Sequence, residues 1–375
     1  MTDVIVVGGG IVGASVTYHL ATAEVDVLLV DRAHEGRATA AGAGIVSPVT
    51  STSHDDAWYD LAADAAEYYP DLDDELRDAG VAETGYAATA VMVVAADRDE
   101  RATFDAARER ILDRRRRRGN PPADQLYELA PKEAAERFPP LGDVHRALYY
   151  EGGARVDGRT FAAALRTAAT TAGATDRTGT VERLRIDDGR VVGAVVDGDP
   201  ITADRVVIAG GAWSPAFGAQ LGVSIPVAPH RGQIAHLDVS GETGSWPIVT
   251  AFHGHYLVPW PDGRVAAGAT REAGVGYDPT MTVAGVREVL SEAMRVAPGL
   301  DEAGIRDLRV GLRPATTDEL PVLGPVPTVD GVHLATGHGS TGLTIGPYTG
   351  KLVAQSVREE TPDRSISPYG LDRFD

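Results

Sequence analysis

The start of the chain carries the pattern that most restricts how it can fold. A short apolar run over residues 4–7 is followed by Gly8, Gly10 and Gly13, and a helical pattern covers residues 11–21. Glycines at this spacing let the backbone turn tightly from a strand into a helix, whose N-terminal N–H groups and dipole bind a pyrophosphate. The sequence therefore predicts a Rossmann-like unit that binds a dinucleotide.

A carboxylate follows at the position that such a unit requires. Residues 25–30 form a second apolar strand that ends at Asp31. A carboxylate there accepts both hydrogen bonds of an adenosine ribose and repels a 2′-phosphate. The pattern indicates an ADP moiety and leaves NAD and FAD open. Two further segments are expected to approach the cofactor, a small-residue loop over residues 37–46 and a strand that runs into a glycine turn over residues 203–215.

Length and composition indicate a globular protein of two or three domains. The chain has 375 residues, 43% of them hydrophobic, and no cysteine. The lack of cysteine excludes disulfides, thiolate metal sites and thiol nucleophiles. No apolar run reaches the roughly 18 residues that span a bilayer, and the N-terminus lacks the basic region and cleavage site of a signal peptide. We expect a cytoplasmic protein, and peripheral contact with a membrane stays open.

The charge of the chain bears on its source and its partners. The formal net charge is −19, and lysine occurs only at Lys132 and Lys351. An acidic, lysine-poor surface stays hydrated in concentrated salt, so we predict a halophilic source, with the codon bias of a GC-rich genome as the alternative. Nucleic acid is not an expected partner because the field of the protein repels it. The arginine run at residues 114–118 is predicted to be the solvated end of a helix, with a partner contact as the alternative.

No metal site is predicted. His253 and His255 alternate on a predicted strand over residues 248–260, and we expect a solvated or core role for them rather than metal ligation.

Seven motifs in the same order along the chain resemble the FAD-dependent D-amino acid oxidase superfamily, particularly its glycine oxidase and D-amino acid dehydrogenase branch. They span nearly the whole length, which makes chance similarity an inadequate explanation. The motifs are VIVVGGGIVG at 4–13 with Asp31 and Arg32, TAAGAGIV at 39–46, RVVIAGGAW at 205–213, RGQI at 231–234, YLVPWPDGRVAAGAT at 256–270, GLRPATTDELPVLGP at 311–325 and GHGSTGLTIGP at 337–347.

The resemblance implies an α/β fold, α+β overall, in which a Rossmann-like FAD-binding domain is interleaved with an antiparallel-sheet substrate-binding domain. The FAD-binding domain would comprise residues 1–84, 141–226 and 305–375, and the substrate-binding domain residues 85–140 and 227–304. Periodicity agrees in outline. It predicts helices over residues 54–79, 98–118 and 158–173, strands over 86–96 and 248–260, and a hairpin over 181–196 that turns at Asp188 and Gly189.

FAD is expected to be bound without a covalent link, because the chain has no cysteine and no histidine lies in residues 37–46. The resemblance places the second glycine-rich stretch, 337–347, at the pyrimidine end of the flavin, where a helix N-terminus stabilises negative charge. The residues expected to bind FAD are Gly8, Gly10, Ile11, Val12, Gly13, Asp31, Arg32, Thr39, Ala40, Gly44, Ile45, Val181, Gly210, Trp213, Gly337, His338, Gly339, Ser340, Thr341, Gly342, Leu343 and Thr344.

The resemblance also implies how a substrate carboxylate is bound. Arg313 matches the arginine that the family uses for bidentate binding, and Tyr256 matches a tyrosine on the same carboxylate. Arg231 matches an arginine that faces the site in part of the family and is structural elsewhere. His230 and His338 are candidate bases, although no dedicated base is required if the amine loses its proton to solvent.

Two departures from the family pattern bear on the activity. Ser340 stands where some glycine oxidases carry an arginine, which weakens the narrow glycine oxidase assignment. No lysine lies in residues 264–270, where sarcosine oxidases carry one that promotes reaction with oxygen. A dehydrogenase that passes electrons to a quinone or another carrier is therefore favoured over an oxidase that uses O2.

The expected reaction is oxidation of a D-amino acid or a glycine-like amine to an imine, which hydrolyses to a 2-oxo acid and ammonia. A secondary amine such as sarcosine or proline, or a 2-hydroxy acid, would use the same carboxylate clamp and stays an alternative. A second alternative is an accessory subunit that binds FAD without catalysis. Such a subunit need not keep Tyr256, Arg313 and the C-terminal glycine loop together.

Overall fold

The structure, a computed structural model, describes residues 2–53 and 55–374, and this part of the chain contains twenty strands and nine α-helices. The strands are β1 (Thr2–Val7), β2 (Val27–Asp31), β3 (Ile45–Val46), β4 (Tyr86–Ala88), β5 (Val91–Ala95), β6 (Leu126–Leu129), β7 (Arg146–Tyr150), β8 (Ala154–Val156), β9 (Thr175–Thr178), β10 (Val181–Asp187), β11 (Arg190–Val196), β12 (Asp199–Ile201), β13 (Ala203–Ile208), β14 (Ala228–Asp238), β15 (Ile248–Thr250), β16 (Tyr256–Pro259), β17 (Arg264–Gly268), β18 (Gly304–Ala315), β19 (Val322–Pro325) and β20 (Val332–Thr336). The helices are α1 (Ile11–Ala21), α2 (Ala38–Ala41), α3 (Asp56–Asp78), α4 (Arg101–Arg118), α5 (Pro131–Arg137), α6 (Gly158–Thr171), α7 (Gly218–Leu221), α8 (Val283–Val296) and α9 (Gly342–Val357).

A six-stranded sheet, in the order β19-β20-β13-β1-β2-β9, contains the N-terminal unit. Its strands are parallel except for β19. Helices α1, α6 and α9 pack in the core on one face, and the antiparallel strands β10, β11 and β12 contribute to the core on the other. Because both faces are covered, strands such as β1 and β2 are continuously apolar rather than alternating.

An eight-stranded sheet has the order β18-β14-β17-β16-β15-β5-β7-β6. Its neighbouring strands are antiparallel with one exception, since β15 and β5 pair in parallel. The sequence predicted a purely antiparallel sheet, but the sheet is mixed. Strands β5 and β15 come from distant segments of the chain and run in the same direction. The α/β class with separate parallel and largely antiparallel sheets is confirmed.

The two faces of the eight-stranded sheet have different partners. Leu257, Val265 and Ala267 belong to a core that includes Val289 and Ala293 of α8. Their neighbours along the strands, such as Val258 and Ala266, belong to a smaller apolar cluster on the other face, and Tyr256 packs against it. Alternate residues of a strand point to opposite faces. Strand position therefore decides which side chains face α8 and which face away from it.

The division into domains stays a prediction, and two strands bear on its boundaries. Hydrogen bonding places β7 and β18 in the eight-stranded sheet, β7 beside β5 and β18 beside β14. Residues 146–150 and 304–315 therefore associate with the sheet of the expected substrate-binding domain, although the sequence placed both segments almost wholly in the FAD-binding domain.

Most predicted elements are confirmed, with end shifts of a few residues. The three long predicted helices correspond to α3, α4 and α6, and the hairpin corresponds to β10 and β11, which turn at Asp188 and Gly189 with positive φ angles of 46° and 76°. The strand predicted over residues 86–96 is wrong as a single element, because it forms β4 and β5, which belong to different sheets. The strand predicted over residues 248–260 is wrong in the same way. It forms β15 and β16, which pair with each other, so His253 and His255 lie in the connection between them.

None of the helices among residues 2–53 and 55–374 is long and apolar enough to cross a membrane.

Arg114 is not the solvated arginine that the run at 114–118 predicted. Its side chain is 5% exposed. Its guanidinium donates hydrogen bonds to the backbone carbonyls of Pro48, Val49, Ser51 and Ser53 at 2.6–3.0 Å. The arginine organises the segment that precedes α3, because it satisfies carbonyl groups that have left regular secondary structure.

We expect Arg114→Met to lower the free energy of unfolding by about 2–3 kcal/mol, because the variant removes charged hydrogen bonds and leaves carbonyl groups without a partner. The matched control is Arg116→Met on the same helix, where the arginine is exposed and pairs with Asp113. Urea unfolding of both variants measures the difference. Equal midpoints for the two variants would contradict the structural role of Arg114.

Candidate active site

A cavity lies at the carboxyl ends of the parallel strands, the edge at which open α/β sheets bind their ligands. Gly8 follows β1, Asp31 ends β2, Gly210 follows β13 and His338 follows β20, and all four line the cavity. The eight-stranded sheet contributes lining residues from β14, β16 and β18. Residues from distant parts of the chain thus meet around one space.

The first glycine turn is shaped by two different requirements. Gly8 has a φ of 104°, and a Cβ there would lie 2.5 Å from the carbonyl oxygen of Ala209. Gly13 is placed so that a Cβ would clash with the carbonyl oxygen of Gly8. Gly13 was expected among the cofactor residues, but it lies outside the cavity lining. The absence of a side chain at Gly13 instead lets α1 pack closely against the turn.

The N-terminus of α1 faces the cavity without a side-chain cap. Gly10 is the N-cap residue, and no acidic residue lies in the first turn. The backbone N–H of Ile11 donates to Thr39 Oγ1 at 3.0 Å, which ties α1 to the start of α2. The positive end of the helix dipole and its free N–H groups are therefore available to an anionic group.

Asp31 presents a carboxylate to the cavity although its side chain is 5% exposed. Its Oδ1 accepts a hydrogen bond from Ala33 N at 3.1 Å, and its Oδ2 lies 3.4 Å from Arg37 and 3.7 Å from Arg166. A Cβ at Gly9 would lie 2.8 Å from Oδ2. Glycine at position 9 therefore keeps the carboxylate accessible, a requirement that the sequence analysis missed.

We expect Gly9→Ala to weaken FAD binding by roughly tenfold or more, because the added methyl crowds the carboxylate expected to accept the ribose hydroxyls. Gly304→Ala is the matched control, since a Cβ there meets Asp238 only at 3.6 Å. FAD titration of the two apoproteins by flavin fluorescence measures the dissociation constants. An unchanged constant for Gly9→Ala would show that Asp31 does not bind the ribose.

The second glycine-rich stretch forms a short 3-10 turn over Gly339–Thr341 that leads directly into α9. His338, at its start, is 3% exposed, and its Nε2 lies 2.8 Å from Thr349 Oγ1. Burial lowers the pKa of His338 to about 3. The imidazole is therefore neutral at physiological pH, and a buried ring bonded to Thr349 is poorly placed to serve as a base.

Helices α1 and α9 pack closely against each other. A Cβ at Gly346 would lie 3.1 Å from Ile11 and from Val12, and one at Gly350 would lie 2.5 Å from Ser15 Oγ. Ser15 Oγ also donates to the carbonyl oxygen of Pro347 at 2.6 Å. The two glycine-rich segments therefore stabilise each other's position. Gly346 and Gly350 are four residues apart, so they lie on one face of α9, and this spacing could have predicted the contact.

Arg313 and Tyr256 both line the cavity. The Nη1 of Arg313 donates to the carbonyl oxygen of Thr270 at 2.9 Å, and the guanidinium covers Gly232, where a Cβ would clash with it. Burial lowers the pKa of Arg313, while the neighbouring Tyr256 opposes that shift. Burial likewise raises the pKa of Tyr256, and the guanidinium groups of Arg313 and Arg271 oppose the rise. Both side chains carry hydrogen-bond donors that suit an anion.

Arg231 does not line the cavity. Its guanidinium pairs with Glu272 at 2.6 Å and with Asp278 at 3.3 Å. The reason is strand alternation, because Gly232 and Ile234 of β14 face the cavity and Arg231 therefore points to the opposite face. The expectation that Arg231 faces the substrate is not supported by this placement.

Most of the other predicted cofactor residues line the cavity. The exceptions are Ala40, Gly337 and Thr341. The hydroxyl of Thr341 instead donates to the carbonyl oxygen of His338 at 3.0 Å. Arg37 and Gly42 also line the cavity and belong to the loop over residues 37–46 that was expected to approach the cofactor. Lining residues that were not predicted include Gly9, His34, Arg271 and Thr336.

His34 provides a polar surface that has no protein partner. Its ring stacks edge-on against Trp213 with a centroid separation of 3.7 Å. Both ring nitrogens are buried and have no hydrogen-bond partner among the described residues. Burial, and next the charge of Arg32, lowers the pKa of His34 to about 4. A neutral imidazole that lines the cavity without partners suits a polar group of a bound cofactor.

Comparison with known proteins places this geometry in a family. The family model "FAD dependent oxidoreductase" (DAO) matches residues 3–356. The chain is 38% identical over 371 residues to the "Uncharacterized oxidoreductase YurR" of Bacillus subtilis (strain 168), covering 98% of both chains. The solved structure of iminodiacetate oxidase (IdaA) from Chelativorans sp. BNC1 is 41% identical, with a TM-score of 0.93 and 98% coverage of both chains. That of glycine oxidase from Geobacillus kaustophilus is 30% identical, with a TM-score of 0.89 and the same coverage. The chain therefore belongs to the DAO family of FAD-dependent oxidoreductases.

Proposed function

We propose that the protein oxidises the C–N bond of a small amino acid with a free carboxylate. The observation that supports this most directly is that Arg313 and Tyr256 of the eight-stranded sheet line the same cavity as the glycine turns that follow the parallel strands. Neither Arg313 nor Tyr256 is engaged by a carboxylate of the described chain. In a protein with a net charge of −19, an arginine left without an acidic partner in a cavity is suited to an external anion.

The residues around the cavity fit FAD, the cofactor of the family. Asp31 would hold the adenosine ribose, the N-terminus of α1 the pyrophosphate, and the segment after β20 the far end of the cofactor. The small side chains at Gly42, Ala43 and Gly44 leave room for a flat ring. FAD, when bound, accepts a hydride from the substrate. Attachment without a covalent bond stays a prediction, which a yellow protein pellet after acid precipitation would contradict.

The protein residues bind and orient the substrate in this mechanism. Arg313 and Tyr256 fix the carboxylate, so that the adjacent C–H bond has a defined direction. The amine must be neutral, since its lone pair forms the C=N bond as the hydride leaves the carbon. Its proton passes to solvent at the open side of the cavity, because His338 is buried and neutral. Water then adds to the imine, and cleavage of the C–N bond gives a 2-oxo acid and the amine or ammonia.

A secondary amine with a carboxymethyl group is a second candidate substrate. The observation that favours it is the similarity to iminodiacetate oxidase, 41% identical over 98% of both chains. In that case the same C–N cleavage releases glyoxylate and a primary amine. Glycine-like and D-amino acids remain the first candidates because the glycine oxidase structure is also closely similar.

Two features point in opposite directions on the electron acceptor. Residues 264–270 contain no lysine, which favours a quinone or another carrier. The two similar solved structures are named oxidases, which favours O2. Oxygen uptake at the rate of substrate loss would establish an oxidase, and no uptake during turnover with an added quinone would establish a dehydrogenase.

Anaerobic bleaching of the flavin tests the proposed reaction. The holoenzyme is mixed with glycine, a panel of D-amino acids, sarcosine, proline, iminodiacetate and 2-hydroxyglutarate, and the loss of flavin absorbance is followed. The proposal expects an amine to bleach the flavin and to yield the corresponding 2-oxo acid. Bleaching by 2-hydroxyglutarate alone would replace C–N with C–O oxidation. An inert flavin with every compound would favour the accessory-subunit alternative.

A further inference from the structure

Arg271 is a further cationic residue that lines the same cavity as Arg313 and Tyr256. It follows β17 in a segment that stays extended, since Arg231 and Glu272 exchange backbone hydrogen bonds of 2.8 and 3.0 Å. Alternation along this segment directs Thr270 and Glu272 to one face and Arg271 to the other. The side chain of Arg271 therefore faces the cavity, whereas that of Glu272 points away from it.

The guanidinium of Arg271 is held in place by backbone carbonyl groups. Its Nη1 donates to the carbonyl oxygens of Gly254 at 2.7 Å and Ala269 at 3.4 Å. Gly254 has a φ of 78°, and a Cβ there would lie 2.7 Å from Nη1. The absence of a side chain at Gly254 thus leaves space for the guanidinium group. Only Nη1 is used in these bonds, so Nε and Nη2 remain available to a ligand.

Glu272, the acidic residue next to Arg271 in the sequence, forms no ion pair with it because its carboxylate is bonded to other residues. Both carboxylate oxygens of Glu272 are occupied, Oε2 by Arg231 at 2.6 Å and Oε1 by Gln233 and Thr270, each at 2.7 Å. None of the ion pairs within residues 2–53 and 55–374 includes Arg271 or Arg313. An acid-rich chain therefore leaves the guanidinium groups of Arg271 and Arg313 without an ion pair beside one cavity, and Arg231 contributes by holding Glu272 away.

The two guanidinium groups act on a common region. Arg313 Nη1 donates to the carbonyl oxygen of Thr270 at 2.9 Å, and Arg271 Nη1 donates to that of Ala269 at 3.4 Å, so neighbouring peptide groups hold both guanidinium groups. A substrate with one carboxylate needs only Arg313 and Tyr256. A second cation at the exposed rim of the cavity suits a second anionic group on the same small molecule.

We infer that Arg271 binds a second carboxylate, which makes a compact dicarboxylic amine the preferred substrate class of this site. This inference rests on the proposed C–N oxidation and adds its specificity. The second carboxylate can be carried on the nitrogen, as in iminodiacetate, or on the side chain, as in D-aspartate. In both cases the bonds that break and form are those given above, and only binding of the remote carboxylate is added.

A binding experiment tests Arg271 without turnover. Glutarate has the carbon skeleton of iminodiacetate with a methylene in place of the amine, and butyrate lacks one of its carboxylates. Both are titrated into the holoenzyme while the flavin absorbance spectrum is recorded. We expect glutarate to bind about tenfold more tightly than butyrate in the natural protein, because Arg271 is exposed and its ion pair is partly screened. In Arg271→Gln that advantage should disappear.

Turnover distinguishes the two sources of the second carboxylate. The ratio of kcat/KM for iminodiacetate to that for sarcosine, and for D-aspartate to that for D-alanine, should each be compared between the natural protein and Arg271→Gln. The ratio that falls by about tenfold identifies where the carboxylate is carried. The matched control is Arg287→Gln, which removes the same charge from an exposed position on α8 and should leave both ratios and the glutarate preference intact.

Failure of this inference differs from failure of the proposed function. Equal binding of glutarate and butyrate, together with unchanged ratios in Arg271→Gln, would overturn the role of Arg271 even if sarcosine or D-alanine bleaches the flavin. A flavin that no amine bleaches would overturn the proposed function. A parallel loss of all activities in Arg271→Gln but not in Arg287→Gln would show that Arg271 is structural and would also overturn the inference.

Discussion

Replacement of Arg313 with glutamine is expected to lower kcat/KM for amino acid substrates by roughly tenfold to more than a hundredfold, the range set by losing charged hydrogen bonds of about 1.5–3 kcal/mol. The guanidinium donates to the carbonyl oxygen of Thr270, lies over Gly232 and has no acidic partner, so the proposed bond to the substrate carboxylate would be its only charged interaction. Steady-state kinetics with the substrate that bleaches the flavin fastest measures the effect.

The conservative variant Arg313→Lys separates charge from geometry. A lysine keeps the positive charge but cannot form two parallel hydrogen bonds to a carboxylate. We therefore expect Arg313→Lys to recover only part of the lost kcat/KM. Full activity in both variants would show that the carboxylate is bound elsewhere. The flavin content of each variant must be measured, because a loss of FAD would also lower activity and would point to a structural role.

The features that local sequence pattern determines were predicted well. The strand, glycine turn and helix at the N-terminus, followed by a carboxylate, describe contacts within one βαβ unit. Their positions relative to each other depend little on the rest of the chain. The hairpin at Asp188 and Gly189 was found for the same reason, since both residues adopt the positive φ angles that a two-residue turn requires.

Side-chain direction on strands was predicted poorly. Arg231 and Arg313 were both matched to the family by motif, and for Arg231 the resemblance left open whether it faces the site or is structural. The register between β14 and β18 pairs Arg231 with Leu312 and His230 with Arg313, so the two arginines fall on opposite sides of the sheet. A shift of one residue exchanges the two faces. The sequence contains no local signal that fixes which face meets the cavity.

Residues supported by distant parts of the chain were missed or misread. The proposed role of Arg271 depends on Gly254, 17 residues earlier, and on the hydrogen bonds that hold Glu272. Arg114 was read as part of a charged surface, yet its partners are carbonyl groups some 60 residues earlier, such as Ser53, 61 residues away. Such contacts form only when the chain folds. The sequence can show at most that an arginine has no acidic residue nearby in the chain.

Acidification from pH 7.5 to 5.5 is expected to lower the free energy of unfolding by at least about 4 kcal/mol, because His236, His333 and His338 must stay neutral in the folded protein. Burial also lowers the pKa values of His19 and His34, to about 3 and about 4, and both act in the same direction. His236, His333 and His338 are 1%, 8% and 3% exposed. Burial, joined by nearby arginines for the first two, lowers their pKa values to about 3, about 4 and about 3. Their pKa in the unfolded chain is about 6.5.

The sign of this effect follows from proton binding. Below pH 6.5 the unfolded chain binds protons at these histidines while the folded protein does not, so stability falls as the pH falls. Each histidine contributes about 1.4 kcal/mol at one pH unit below its unfolded pKa. Carboxylates with lowered pKa values, such as Glu272, act in the same direction but only near and below pH 4.5, their ordinary range. The interval from pH 7.5 to 5.5 therefore isolates the histidines.

Urea unfolding of the holoprotein at the two pH values, with excess FAD present at both, measures the difference. His333→Gln provides the internal test, since His333 lies on β20 and is not among the cavity-lining residues. The variant removes one of these groups and should lose about 1.4 kcal/mol of the pH dependence, whatever its stability at pH 7.5. A free energy of unfolding that stays constant over this interval would mean that the three imidazoles gain access to water and protonate in the folded state.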